Sequence, residues 1–179
     1  SITLSQGGVV ATTATVVFAI RRDTGSSTEL AFPEVPPADA LQRVPAGGMS
    51  TWTNNYDLRF VQGGLPGETE VERQSGSTTI QWIRDDPPRA MDFLSLASIC
   101  DSFFPRIFLR KQKPVPSGTI SLTTYSHANT EMLDTQGKRP VLGVARASHF
   151  GLGFHDQSAE IWSDKRALLA TSHQIVYFK

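Results

Sequence analysis

The run RAMDFLSLASICDSFF, residues 89–104, limits the possible folds more than any other stretch of the chain. Placed on a helix at about 100° per residue, Phe93, Leu94, Leu96, Ala97, Ile99, Cys100, Phe103 and Phe104 cover most of the circumference. Only a narrow stripe of Ser95, Ser98 and Ser102 is left. A helix that is apolar nearly all round has to be wrapped by protein. Asp85-Asp86-Pro87-Pro88 supplies a start signal, with an Asp at the N-cap and prolines in the first turn, and Pro105 supplies the stop. Asp101 is the one acid between Phe93 and Pro105. A carboxylate among Leu, Ile, Cys and Phe is costly to bury unless it is paired or hydrogen-bonded. The projection sets it at the edge of the apolar face, beside serines small enough to let a ligand approach.

Strand signals surround this helix. Residues 52–62 alternate from Tyr56 through Leu58 and Phe60, and residues 77–84 place Ile80 and Trp82 on either side of Gln81. Four more segments follow, at 118–127, 141–150, 157–163 and 168–178, the last two joined by the short Asp164-Lys165-Arg166 turn. Antiparallel strands in runs around a single helix predict an α+β domain, a curved sheet folded about a long central helix. At the N-terminus, residues 1–6 alternate, Gly7-Gly8 makes a turn, and residues 9–20 read as a β-branched strand. Residues 21–50 are rich in Pro, Gly, Ser and charge without periodicity, the composition of a linker. The expected organisation is therefore a hairpin over 1–20, a linker over 21–50 and a domain over 51–179.

Composition excludes several classes. With 17 basic and 17 acidic residues in 179, the net charge is zero, so nothing global points to nucleic acid or an anionic membrane. No apolar run approaches a membrane span. The one cysteine, Cys100, cannot form an intrachain disulfide and suits a reducing, cytoplasmic setting. His127, His149, His155 and His173 sit on separate segments with no ligand spacing, so no metal site is expected. The local basic cluster of Arg106, Arg110, Lys111 and Lys113 reads first as a solvated helix exit.

The stretches PPRAMDFLSLASICDSFFPRIF, PSGTISLTTYSHA and SAEIWSDKRALLATSHQIVYFK resemble the C-terminal half of double hot-dog acyl-CoA thioesterases of type II. Residues 1–19 resemble the closing strands of that family's N-terminal hot-dog. The resemblance implies a hot-dog fold, the second half of a double hot-dog, with the first half incomplete. It also implies hydrolysis of an acyl thioester by a water held between an Asp, a Thr and a Gln. By position these are Asp101, Thr119 and Gln174, with Ser121 as the fallback hydroxyl, because Ser121-Leu122 replaces an Asp-His pair of the family. Coenzyme A would be part of the substrate, no separate cofactor is needed, and Arg106, Arg110 and Lys111 are candidates for its phosphates. A missing N-terminal fragment or a second chain would complete the site, and a homo-oligomer is expected. The Ser-Leu departure keeps two alternatives open: a biosynthetic hot-dog enzyme (dehydratase, cyclase or acyl transfer) or a non-catalytic acyl-binding module.

Overall fold

The computed structural model describes residues 1–45, 51–65 and 76–179, so residues 46–50 of the expected linker lie outside the described residues. The chain divides into two units, Ser1–Leu30 and Ala31–Lys179. The first holds an antiparallel hairpin of β1 (Ile2–Gln6) and β2 (Val9–Ala14). Gly7 and Gly8 both have positive φ, +58° and +79°, which is why a glycine pair closes a turn this tight. The second strand ends at Ala14, short of the expected Ile20.

The second unit is built on one antiparallel sheet. Its strands are β3 (Tyr56–Gln62), β4 (Thr79–Asp85), β5 (Ser117–Ser126), β6 (Val141–Arg146), β7 (Phe150–Gly151), β8 (Phe154–Trp162) and β9 (Leu168–Phe178). They run in the order β3-β4-β6-β8-β9-β5, with β7 paired to β8. Helix α1 (Phe93–Cys100) lies on the inner face, followed by α2 (Ile107–Lys111) and α3 (Thr130–Gln136). Alternation decides which side chains face α1. Along β9, Ala170, Ser172, Gln174 and Val176 are buried, and along β8 His155, Gln157, Ala159 and Ile161 are buried. Leu96, Ile99, Cys100 and Phe103 pack into the core formed by Leu58, Ile83, Val141, Ile161 and Leu169.

The outer face is covered too. Trp82, Leu142, Val144 and Trp162 form a second cluster, against which Phe32, Val35 and Leu41 pack, and the Trp82 indole donates to the Pro36 carbonyl at 2.9 Å. Residues 31–41, which composition marks as linker, are thus a strap on the sheet.

The central helix differs from the expected one. It has eight residues, and Asp92 caps it by accepting from the Ser95 amide at 2.7 Å, so the Asp85–Pro88 run precedes the helix rather than opening it. Asp85 instead accepts from the Ser95 hydroxyl. The helix stops at Cys100 because the last turn tightens: the amides of Asp101 and Ser102 bond the carbonyls of Ser98 and Ile99 three residues back, and the Ser102 hydroxyl also donates to Ile99. Nor is α1 enclosed all round. Phe93 is 46% exposed and Leu94 77%, because the sheet covers only the side carrying Leu96, Ile99 and Cys100. The serine stripe is not open either, since Ser95 and Ser102 are buried and bonded internally and only Ser98 is exposed.

Candidate active site

Asp101 occupies the C-cap of α1, with φ −101° and ψ 4°. That helix end is held against the sheet by the Ser172 hydroxyl of β9, which donates to the Cys100 carbonyl at 3.3 Å. Two residues along the same strand face, Gln174 meets the Asp101 carboxylate. Its amide nitrogen donates to Asp101 Oδ1 at 2.9 Å and to Thr119 Oγ1 at 2.7 Å. Three positions from separate segments therefore converge on one amide group, with Gln174 5% exposed beneath the exposed Asp101 and Thr119.

The local backbone explains why Thr119 takes this place. Strand β5 pairs with β9 through a bulge, so that Thr119 lies opposite Val176 while Ser121 lies opposite Ile175. The extra residue shifts Ser121 out of step with Gln174, and Ser121 is exposed.

Behind Gln174 the polar chain continues inward. The Gln157 amide nitrogen, directly across from Gln174 in the β8–β9 ladder, donates to Gln174 Oε1 at 2.8 Å. Gln157 Oε1 in turn accepts from Arg106 Nε at 3.1 Å. Arg106 is fully enclosed, at 0% exposure, and its guanidinium also donates to Phe104 O and to Thr79 Oγ1 while lying 4.2 Å from the centre of the Phe104 ring. Among the described residues no carboxylate pairs with it. Burial pulls its pKa down to about 9, which leaves it charged at neutral pH.

This location corrects the expectation that Arg106 touches a coenzyme A phosphate: a guanidinium sealed under the sheet cannot reach one. Arg110 and Lys111 are exposed at the end of α2. Gln157 was absent from the sequence-derived candidates. The signal was its β8 alternation, which sets it on the same face as Ala159 and Ile161.

The hydrogen-bond polarity has one consistent reading. Arginine only donates, so Gln157 must turn its oxygen toward Arg106 and its nitrogen toward Gln174. Gln174 must then present its oxygen to Gln157 and both N–H groups outward. Both N–H groups and the oxygen are engaged, so the buried amide has a single orientation. Asp101 Oδ2 accepts no hydrogen bond among the described residues, and Thr119 Oγ1 accepts from Gln174, so that bond does not use its hydroxyl proton.

Although the residue as a whole is exposed, partial desolvation of its carboxyl raises the Asp101 pKa above the ordinary carboxylate value, and the hydrogen bond from Gln174 opposes that rise. The C-terminal end of α1, carrying partial negative charge, acts in the same direction as burial. Cys100, next in line, is no nucleophile: burial pushes its thiol up to about 12. Among the described residues no three His, Cys, Asp or Glu side chains gather to hold a metal. No helix among them is long and apolar enough to cross a membrane.

Known proteins resemble the chain along most of its length. A hot-dog protein of unknown function from Alicyclobacillus acidocaldarius superposes with a TM-score of 0.90 at 44% identity, over 99% of this chain and 65% of that one. A candidate thioesterase from Novosphingobium aromaticivorans (TM-score 0.65, 19% identity, 89% of this chain and 58% of that one) shares the fold. So does the acyl-CoA thioesterase II TesB2 from Mycobacterium marinum, with a TM-score of 0.62 and 17% identity over 88% of this chain and 59% of that one. The chain thus spans less than two thirds of the length of each of these relatives. A search of curated proteins gives no match. The family model for the acyl-CoA thioesterase C-terminal domain matches residues 31–178. With that match covering all of the second unit but Lys179, and the hot-dog fold in place, the chain belongs to the acyl-CoA thioesterase C-terminal domain family.

Proposed function

We propose that the protein hydrolyses an acyl-CoA or a related thioester to the free acid and the thiol. The observation that supports this most is the Gln174 amide, which donates at once to Asp101 and Thr119. A thioester is already an activated acyl donor, so the chief requirement is a positioned and polarised water. Asp101 Oδ2 and the Thr119 hydroxyl, tied to one amide from two sides, would hold that water.

Asp101 acts as general base. It takes a proton from the water as the oxygen attacks the thioester carbonyl, the carbonyl π pair moving onto oxygen. The tetrahedral intermediate then collapses, the C–S bond breaks, and the departing thiolate takes the proton from Asp101. A carboxyl with a pKa raised toward the working pH is suited to both halves of this exchange. Thr119 and Gln174 fix geometry without changing charge. Arg110 and Lys111, at the solvent edge of the same unit, are the cations left to meet coenzyme A phosphates.

The direct test is thiol release from a panel of acyl-CoAs by the full-length protein, beside Asp101→Asn. Hydrolysis that depends on Asp101 supports the reading. Tight acyl-CoA binding with no turnover, or turnover unchanged in Asp101→Asn, overturns it.

A further inference from the structure

Beside the proposed site lies a cavity of about 400 Å3, within the ~300–1,000 Å3 range of small-molecule pockets. Its walls are mostly apolar, with the rings of Trp52, Phe60, Phe104 and Phe108 prominent, and Phe60 and Phe108 both pack against Phe104. It adjoins the catalytic candidates through the chain at two points. Ser102, which lines it, follows Asp101, and Ser117, which also lines it, shares a strand with Thr119 two residues on. An acyl group whose carbonyl carbon sat at Asp101 and Thr119 would have this cavity as the adjoining apolar space.

One wall is polar. Gln81 points inward from β4, between Thr79, which receives Arg106, and Ile83, which belongs to the core. It is 1% exposed, and its amide nitrogen has no hydrogen-bond partner among the described residues. A buried amide left unpaired is costly, and such a group in a native fold calls for an explanation. No charged side chain is found among the described residues lining the cavity, so a carboxylate or a cation is a poor occupant.

We propose that this cavity is the acyl pocket and that it selects an uncharged acyl chain carrying one oxygen, a hydroxyl or a keto group, which hydrogen-bonds the Gln81 amide. This rests on the thioester reading for the identity of the ligand but not for the cavity chemistry. The aromatic walls take the hydrocarbon, and Gln81 takes the oxygen. An unsubstituted chain of the same length would leave the amide unpaired in the complex. A site built to hydrogen-bond a substrate hydroxyl rejects the analogue lacking it.

Binding and hydrolysis are measured separately on the full-length protein. The binding probes are alkyl thioethers of N-acetylcysteamine and matched hydroxyalkyl thioethers, the hydroxyl stepped along the chain, and none can be hydrolysed. The expected result is one hydroxyl position that binds about tenfold tighter than the plain chain, a preference lost in Gln81→Met and in Gln81→Leu. Melting temperatures check that the variants are folded. Equal affinity for plain and hydroxylated chains in the wild type, or a preference that survives both substitutions, overturns the proposal. Hydrolysis of the corresponding thioesters is assayed in parallel. If no thioester is turned over but the Gln81-dependent binding preference holds, the hydrolase reading fails and the pocket assignment stands.

Discussion

The amide oxygen of Gln174 accepts a 2.8 Å hydrogen bond from the amide nitrogen of Gln157, its direct partner across the β8–β9 ladder. That contact connects a sealed arginine to an exposed carboxylate: Arg106 orients Gln157, Gln157 orients Gln174, and Gln174 holds Asp101 and Thr119. Gln157→Glu tests the chain of orientations. The new carboxylate still accepts from Arg106 and gives it a counter-charge, so the fold is expected to persist. Facing Gln174, however, it can only accept. The Gln174 amide must then turn its nitrogen inward and its oxygen toward Asp101. We expect kcat for thioester hydrolysis to fall about 10- to 100-fold, the worth of one hydrogen bond to a charged group. KM should change little. Steady-state kinetics with a melting curve checks this, and a KM effect with unchanged kcat would sink the idea.

Asp101→Asn separates function from stability at one position. The isosteric amide keeps an oxygen for the Gln174 donor but cannot take a proton from water. Activity is expected to drop by about 100- to 10,000-fold, the usual worth of a general base. Stability at neutral pH should hold or rise, because the folded state no longer carries a carboxylate whose charged form burial disfavours. Paired assays of thiol release and thermal unfolding check both arms.

The same shift has a pH signature. The folded-state pKa of Asp101 lies above its unfolded value, so between the two the folded chain holds the extra proton. For this group, stability declines as pH rises from the unfolded carboxylate value through the folded one, and the penalty is fully present above that window. The rate has the opposite dependence: kcat/KM should rise with pH on an acid limb displaced upward from the ordinary aspartate value. Gln174→Met removes the hydrogen bond that lowers the Asp101 pKa, so its acid limb should move to still higher pH. A kcat/KM profile of wild type and Gln174→Met measures the displacement. Coincident limbs would remove Asp101 as the titrating base.

Much of the site could be read from order along the chain, and the exceptions have physical causes. The apolar pattern marks the segments and makes Asp101 an anomaly, but it was the family resemblance that implied Thr119 and Gln174 as its partners; the fold brings all three together at the Gln174 amide. Gln157 was not legible by counting: outward from the Asp164–Arg166 turn it falls opposite His173, and the bulge between Ile161 and Trp162 shifts the register by one so that it faces Gln174. Nor was Arg106, since a basic residue beside Arg110 and Lys111 looks solvated. Its burial arises from carbonyl, hydroxyl and amide acceptors scattered from Thr79 to Gln157. The true N-cap, Asp92, was masked by the stronger Asp-Asp-Pro-Pro signal upstream. The helix at Thr130–Gln136 went unread because seven residues, about two turns, carry little periodicity; its cap, Asn129, accepts from the Met132 amide at 2.9 Å. The strap over 31–41 escaped composition because few apolar residues, Phe32, Val35 and Leu41, do its packing.

Gly143 gives a final test of how α1 is seated. It sits in the middle of β6, opposite Gln81 on one side and Ile161 on the other, and the Phe103 ring just beyond α1 rests on it. A Cβ built there would come within 2.6 Å of Phe103 Cζ and 3.0 Å of Cε1, closer than packing allows. Phe103 is 5% exposed and belongs to the main core, so it has little room to withdraw. Gly143→Ala should therefore destabilise the domain by about 1–3 kcal/mol through overpacking, even though alanine suits a strand better than glycine does. Because Phe103 lies two residues from Asp101, the push should also displace the carboxylate from Gln174 and lower kcat. Gly143→Ala combined with Phe103→Leu relieves the clash and should recover part of both losses, which a double-mutant comparison of unfolding free energy and kcat reads directly. A stable, fully active Gly143→Ala protein would show that the Phe103 ring does not fix the position of the helix end.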